Sequence, residues 1–208
     1  IDCYGNPSSL HALGLQAEQV VQRAAKQICA CIGAKPGEIY FTSGGTEANN
    51  LAVFGAAYAK RRTANRIVTT AIEHSSVLES CQQLEKEGFE VVFVKPEQDG
   101  TLLAEKIVEA VNDNTSLVTA MLVNNETGAM LDIAEMAKAV HRKNPDTLVH
   151  CDAVQAFGKL PVSVRSLGVD LLTASGHKIH APKGIGFLYK SAKARILPRT
   201  FGGEQQKR

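Results

Sequence analysis

The sequence contains no uninterrupted apolar run of about 18 residues, the length that a membrane-crossing helix requires. Its opening, Ile1-Asp2-Cys3-Tyr4-Gly5, has no basic stretch leading into an apolar one. Neither secretion nor membrane insertion is expected. A charge excess is lacking too: 23 basic and 21 acidic residues give a formal +2, with no dense basic stripe to form a nucleic-acid surface. The five cysteines, Cys3, Cys29, Cys31, Cys81 and Cys151, include no C-x-x-C pair and are odd in number, and three stand in apolar surroundings. A reduced chain in a cytoplasmic setting is expected, and no metal site is assigned.

What is present is apolar material, 44% of 208 residues, sufficient for one substantial α/β core. Leu13, Ala17, Val20, Val21, Ala24 and Ile28 recur at helical spacing ahead of Gly33, which can stop the helix. A strand from Glu38 to Thr42, a helix from Thr46 to Lys60 and a β-branched strand from Arg66 to Thr70 follow. The alternation continues with a helix over Ser76 to Lys86, a strand over Glu90 to Val94, a helix over Leu103 to Val111 and a strand over Leu117 to Val123. A helix over Ile133 to Arg142 and strands over Thr147 to Asp152, Val169 to Ala174 and Ile185 to Tyr189 complete it. Such units predict an α/β fold with a mainly parallel sheet flanked by helices. Lys183-Gly184-Ile185-Gly186 stands between the last two apolar strands with no intervening helix, so the last strand is expected to pair differently, as an antiparallel strand.

In parallel sheets ligands gather beyond the carboxyl ends of the strands. There the sequence is unusually polar. Thr42-Ser43-Gly44-Gly45-Thr46-Glu47 offers glycine-permitted amides, hydroxyls and a helix N-terminus to an anion such as a phosphate, without the Walker lysine or the dinucleotide glycine spacing. Taken alone it is equally an ordinary capped turn. Asp152 ends an apolar strand, and a partly buried carboxylate needs a cation or donors; a protonated pyridine nitrogen would serve, with Gln155 donating to a neighbouring ring oxygen, and a helix cap is the alternative. Ser175-Gly176-His177-Lys178 brings a lysine, the amine of Schiff bases, to the same edge, although a lone lysine is more often an exposed loop residue. His74 in Glu73-His74-Ser75-Ser76 suits stacking or proton transfer, or an incidental place at a helix start. Asn124-Asn125-Glu126-Thr127-Gly128 suits an amide near a carboxylate or ring oxygen, or a common turn. Their conjunction on one edge specifies a site better than any one of them.

These motifs, with Gly5-Asn6-Pro7-Ser8-Ser9 and His11 before them, Ala48-Asn49-Asn50 extending the glycine turn, Ala153-Val154 inside the Asp152 motif and Pro182-Lys183-Gly184 after Lys178, keep one order over nearly the whole chain. In that order the sequence resembles the cysteine desulfurases, in the class V aminotransferase group of pyridoxal-phosphate enzymes. The resemblance implies that residues 1–208 are the pyridoxal 5'-phosphate-binding large domain of a fold-type I transferase, incomplete at both ends and without the C-terminal small domain. It implies Lys178 as the Schiff-base lysine, Asp152 on the pyridinium nitrogen, Gln155 on the ring oxygen and His74 stacked on the ring. Gly45, Thr46, Ser175 and His177 would hold the phosphate, and Asn125 would lie between cofactor and substrate carboxylate.

The implied activity is a sulfurtransferase one: L-cysteine gives L-alanine while its sulfur passes to an enzyme cysteine as a persulfide, for iron-sulfur cluster assembly or tRNA thiolation. Selenocysteine lyase and cysteine C–S lyase are activities that these motifs barely separate from it. The partners implied are the L-cysteine substrate and a sulfur-acceptor or scaffold protein, with no direct nucleic acid and a homodimer in the full-length form. The family's nucleophilic cysteine lies downstream of the lysine, beyond Arg208, and Cys29 and Cys31, in a predicted helix, are expected to be buried structural residues. The family's opening Asp-Asn-Ala-Ala-Thr strand and its Arg-x-Gly-Thr segment are also lacking, and Gly202-Gly203-Glu204-Gln205-Gln206 only approximates its Gly-Gly-Gly-Gln-Glu. The 208 residues alone are therefore expected to be inactive, a domain that retains cofactor without sustained turnover.

Overall fold

A computed structural model of the chain describes residues 4–203 and residue 206. Cys3 and the Glu204-Gln205 portion of the closing motif lie outside the described residues. The first helix, α1, spans Ala12–Ile32 and stops at Gly33, whose φ of 69° is a left-handed C-cap conformation. The elements that follow are β1 (Ile39–Thr42), α2 (Gly45–Lys60), β2 (Arg66–Thr70), α3 (Ser75–Lys86), β3 (Glu90–Val94) and α4 (Ala104–Ala110). The chain continues through β4 (Thr115–Met121), α5 (Ile133–Lys143), β5 (Leu148–Asp152), α6 (Val164–Leu167), β6 (Leu171–Ser175), a 3-10 turn (Gly176–Ile179) and β7 (Gly186–Lys190).

The seven strands form one sheet in the order β1-β7-β6-β5-β4-β2-β3. β7 is antiparallel to both of its neighbours, as its short connection to β6 dictates, because a parallel return needs a crossover of about a dozen residues or more. Since β1 opposes β7 and β7 opposes β6, β1 runs in the direction of β6 and the remaining strands. Six carboxyl ends therefore share one edge. Register aligns the chemistry along it: Thr42 faces Gly186, Gly186 faces Ser175, and Asp152 lies between Met121 and Thr173.

The strand side chains alternate between two cores. Ile67, Leu117, Leu148, Leu171 and Leu188 pack under α2 and α3, whereas Val68, Val118, Val149 and Leu172 pack with Ile133, Met136 and Val140 of α5 on the other face. Each central strand thus buries both faces, and all seven residues of β4 are buried.

Some boundaries differ from expectation. β4 ends at Met121 rather than Val123: Leu122 makes one further bond to the Asp152 carbonyl (3.0 Å), then accepts from Leu131, and the chain folds back with Val123 bridged to Met130. The short α6 was unexpected, since only one turn of helix separates its Ser163 cap from Gly168, too little for a periodic signal. Cys29 is buried as expected, but Cys31 is exposed. Positions two apart lie on opposite sides of a helix, and α1 buries only Gly14, Ala17, Cys29 and Ile32.

Glu73 ties the site edge together. Its Oε1 accepts from the Thr70 hydroxyl (2.6 Å) and the Met121 amide (3.0 Å), joining the ends of β2 and β4, while the buried Oε2 has no partner among the described residues. Burial, opposed by those two donors and reinforced by nearby Asp152, pushes its carboxyl up from 4.5 to about 8. The neutral form is the one the fold prefers, so this contribution to stability is complete below pH 4.5 and is lost as pH rises through about 8. Glu73→Gln, a permanently neutral replacement, should gain on the unsubstituted chain by about 1 kcal/mol per pH unit across that window. Urea unfolding at pH 5 and pH 8 measures it; an unchanged difference between the two proteins would show that Glu73 is ionised in the fold.

Candidate active site

At the shared edge a cavity of about 410 Å³ opens, a volume ordinary for a small-molecule site. Gly45, Thr46, His74, Asn125, Asp152, Gln155, Ser175, His177 and Lys178 all line it. The residues singled out along the sequence are therefore brought together. Gly5 to His11 and Pro182-Lys183-Gly184 do not line the cavity; His11 caps α1, its Nδ1 accepting from the Gly14 amide at 3.2 Å.

The glycine turn ends β1 and opens α2. Gly44 at the N-cap supplies no side-chain bond, and the first intrahelical bond runs from Ala48 to the Gly44 carbonyl. The amides ahead of Ala48 are left as donors at the positive end of a 16-residue helix. Glu47 turns back to the Ser43 amide (2.7 Å) and hydroxyl (2.5 Å), which fixes the turn without filling the opening. Glycine is required sterically: a Cβ on Gly45 would stand 2.9 Å from Val154 Cγ2, and one on Gly186 would meet Gly44 backbone at 2.8 Å. On the facing strand, Ser175 Oγ lies 2.8 Å from His177 Nδ1.

Asp152 is buried, at 3% exposure, yet borders the cavity. Its Oδ1 accepts from the Val154 amide (2.9 Å) and its Oδ2 from the Asn49 side-chain amide (2.8 Å). Burial pushes its carboxyl upward, against the pull of the Val154 and Asn49 donors. No ion pair reaches it among the described residues. Lys178 is half-buried in the 3-10 turn directly after β6, and its Nζ makes no hydrogen bond among the described residues. Gln155 Oε1 accepts from Lys159 (3.1 Å), which leaves its NH₂ group as the donor for a ligand.

The paired asparagines divide the work. Asn124 is buried and builds the loop: its Oδ1 accepts from the Glu126 and Thr127 amides (3.0 and 2.8 Å) and its Nδ2 donates to the Ile72 carbonyl (2.8 Å). Asn125 is exposed to the cavity. His74 caps α3, Nδ1 accepting from the Ser76 amide at 3.2 Å.

Sequence reasoning missed Asn49, Ser76 and Met121 as lining residues. Asn49 carried a signal, a polar residue in register with the buried face of Ala52, Val53 and Ala56. The buried cysteines are poor nucleophiles: burial raises Cys29, pushes Cys81 up to about 12 and carries Cys151 well above the usual thiol range. Neither these nor Cys31 lines the cavity.

The chemistry of the set fits pyridoxal phosphate: an uncapped helix end for the phosphate, a buried carboxylate lacking a cation for a ring N–H⁺, and a lysine amine for the aldehyde. Comparisons with known proteins agree. The model of the class-V aminotransferases matches residues 1–208. The cysteine desulfurase of a Nostoc species is 44% identical over 206 residues, 99% of this chain and 51% of the relative. The cysteine desulfurase IscS of Aeromonas hydrophila is 46% identical over 194 residues, 93% and 48% of the two. The chain spans about half the length of these curated relatives. Among solved structures, a NifS-like protein superposes with a TM-score of 0.95 at 37% identity, covering 99% of this chain and 56% of the other. A structure described as SspA in complex with cysteine gives 0.93 and 37%, covering 99% and 59%. With its mainly parallel sheet, its convergent strand ends and a family match from end to end, the chain belongs to the class-V aminotransferase family.

Proposed function

We propose that this chain is the cofactor-holding large domain of a pyridoxal-phosphate-dependent cysteine desulfurase. The observation that carries the reading is Asp152, a buried carboxylate at a cavity wall with no ion-pair partner among the described residues, on the same sheet edge as the α2 N-terminus and Lys178. An electron-withdrawing ring with a protonated nitrogen, supplied by the cofactor, stabilises the carbanion left when a substrate α-proton departs. The chain's own residues divide the remaining tasks. Asp152 holds the ring N–H⁺; Gly45, Thr46, Ser175 and His177 bind the phosphate; Gln155 donates to the ring oxygen; Asn125 meets the substrate carboxylate edge; His74 covers the ring. Lys178 is the amine that would hold the cofactor's aldehyde, and it would also serve as the base that takes the substrate α-proton.

In the whole reaction the Cβ–S bond of L-cysteine breaks, the sulfur leaves to a cysteine thiolate as a persulfide, and protonation of the carbon fragment gives L-alanine. None of the described cysteines borders the cavity, which supports a second reading of the 208 residues taken alone: a domain that binds cofactor without sustained sulfur transfer. The four described cysteines are unpaired, which supports a reducing compartment, the cytoplasm. Exposed Leu13, Leu15, Val20 and Val21 on α1 support burial against a second copy in the full-length form. A sulfur-accepting protein, serving cluster assembly or tRNA thiolation, completes the proposal.

Borohydride reduction of the cofactor-loaded chain, followed by peptide mapping, should place the pyridoxyl label on Lys178. A label on the exposed Lys183, outside the cavity, would sink that assignment.

Asp152→Asn should keep the phosphate cradle and therefore the cofactor, but slow α-proton exchange from bound L-cysteine or L-alanine by about 100-fold or more. NMR of the exchange in D₂O measures it, and near-normal exchange with cofactor retained would contradict the pyridinium role.

A further inference from the structure

A single train of hydrogen bonds crosses three strands and two helices beneath the cavity. Thr119, His150, Asp152 and Thr173 share the sheet face that α2 covers, because strand side chains alternate and the registers pair Thr119 with His150 and Asp152 with Thr173. Asn49 descends onto them from α2. Its Oδ1 accepts from Thr173 Oγ1 (2.5 Å), while its Nδ2 donates to Asp152 Oδ2 (2.8 Å) and Ser76 Oγ (2.9 Å). Beyond Thr173 lies His150 Nε2 (3.2 Å), and beyond that ring Thr119 Oγ1, 2.8 Å from Nδ1. Beyond Ser76 lies His74 Nδ1 (2.9 Å).

Donor and acceptor inventories give this train one direction. An ionised carboxylate only accepts, so the Asn49 NH₂ must face Asp152 and its carbonyl must face Thr173. Thr173 then spends its proton on Asn49 and must accept from His150, which places the His150 proton on Nε2 and leaves Nδ1 to accept from Thr119. His150 is fully buried and burial lowers it to about 3, so it is neutral and carries one proton. Ser76, accepting from Asn49, donates to His74 Nδ1; its own backbone amide donates to the same nitrogen (3.2 Å), an independent indication that this nitrogen bears a lone pair. The His74 proton is therefore on Nε2.

We propose that Asn49 is a positioning residue: oriented by the buried relay Thr119–His150–Thr173, it aims its amide at Asp152, holds that carboxyl ionised for a cationic ligand, and through Ser76 fixes His74 as the Nε2–H tautomer. The role given to Asp152 rests on the reading of the site as a pyridoxal-phosphate site; the direction of the relay does not. Successive donors reinforce one another in a buried chain, so loss of a distant member weakens the bond at Asp152. The titratable groups around Asp152 are Glu73 and Cys151, both held neutral by burial, and His74 and Lys178 at the cavity.

The test uses the cofactor-free chain. Long-range ¹H–¹⁵N correlation spectra should show His150 and His74 both as Nε2–H tautomers. Reversed polarity, with Asn49 turned over, makes His150 the Nδ1–H tautomer, and that result overturns the proposal. Carboxyl-¹³C titration supplies the second readout: Thr173→Val, which exchanges the hydroxyl for a methyl of similar size, should move the Asp152 midpoint upward, and Thr173→Ser should restore it. An unmoved midpoint in a folded Thr173→Val chain overturns the relay as well; if that variant does not fold, the tautomers of the unsubstituted chain still decide. Failure to bind pyridoxal phosphate with the predicted tautomers present would sink the functional reading and leave the relay standing. Cofactor binding with reversed tautomers would do the opposite.

Discussion

A carboxylate buried at the end of a central strand, with no ion-pair partner among the described residues, is the constraint on which this site depends. Removing such a charge from water costs on the order of several kcal/mol unless partners compensate. Asp152 has two neutral donors, the Val154 amide and Asn49. They hold each oxygen in place, yet neither supplies a charge. The fold thus retains an unsatisfied electrostatic demand at the wall of a cavity, and a cationic ligand group satisfies it in a way that a core residue would not. The α2 terminus and Lys178, at the same edge, give that ligand an anionic group and a carbonyl to match.

Convergence on one edge follows from the reversal of β7. Had β1 been a simple edge strand antiparallel to the rest, its carboxyl end and the glycine turn would have emerged at the opposite side of the sheet, away from Asp152. Inserting β7 between β1 and β6 restores β1 to the common direction. The insertion is tight, since Gly186 in β7 must pass Gly44 and the Ala174 carbonyl, where a Cβ would stand within 2.8 Å of backbone. A side chain at Gly186 would therefore displace the anion cradle although it touches no ligand. Packing in the sheet and chemistry at the edge are set by one backbone approach.

The strand and helix pattern was legible because periodicity reports burial. The two-sided burial of β2, β4 and β6 reads as short runs of apolar and β-branched residues, and α5 as an amphipathic face. The antiparallel β7 was legible from connection length. The cavity's outer residues were legible because strand ends are named by position. What was not legible lay one layer down. His150 and Thr173 occur in strands that are otherwise apolar, and a polar residue there gives no hint of its partner, which is 124 positions away for the Thr173–Asn49 bond. Cys31 was misplaced for a related reason: α1 packs on the edge of the sheet through few residues, so apolar side chains on the rest of its surface, Leu13, Leu15, Val20 and Val21, are exposed and the helix periodicity overstates the buried face.

His74 joins these layers, and its two engagements limit what it does in the proposed reading. Nδ1 belongs to the structure, receiving both the Ser76 amide and the Ser76 hydroxyl while it caps α3. Only Nε2 remains for a ligand, and with the proton there the ring enters the cavity as a donor. Acting as a base would require that proton to leave Nε2 first, or a proton to arrive at Nδ1; the second route breaks the helix cap and turns Ser76 away from its place beside Asn49. The same displacement would disturb the amide that steadies Asp152. A ring so placed is suited to covering and hydrogen-bonding a bound molecule, and the work of a base falls to Lys178, whose amine is held by no such bonds among the described residues.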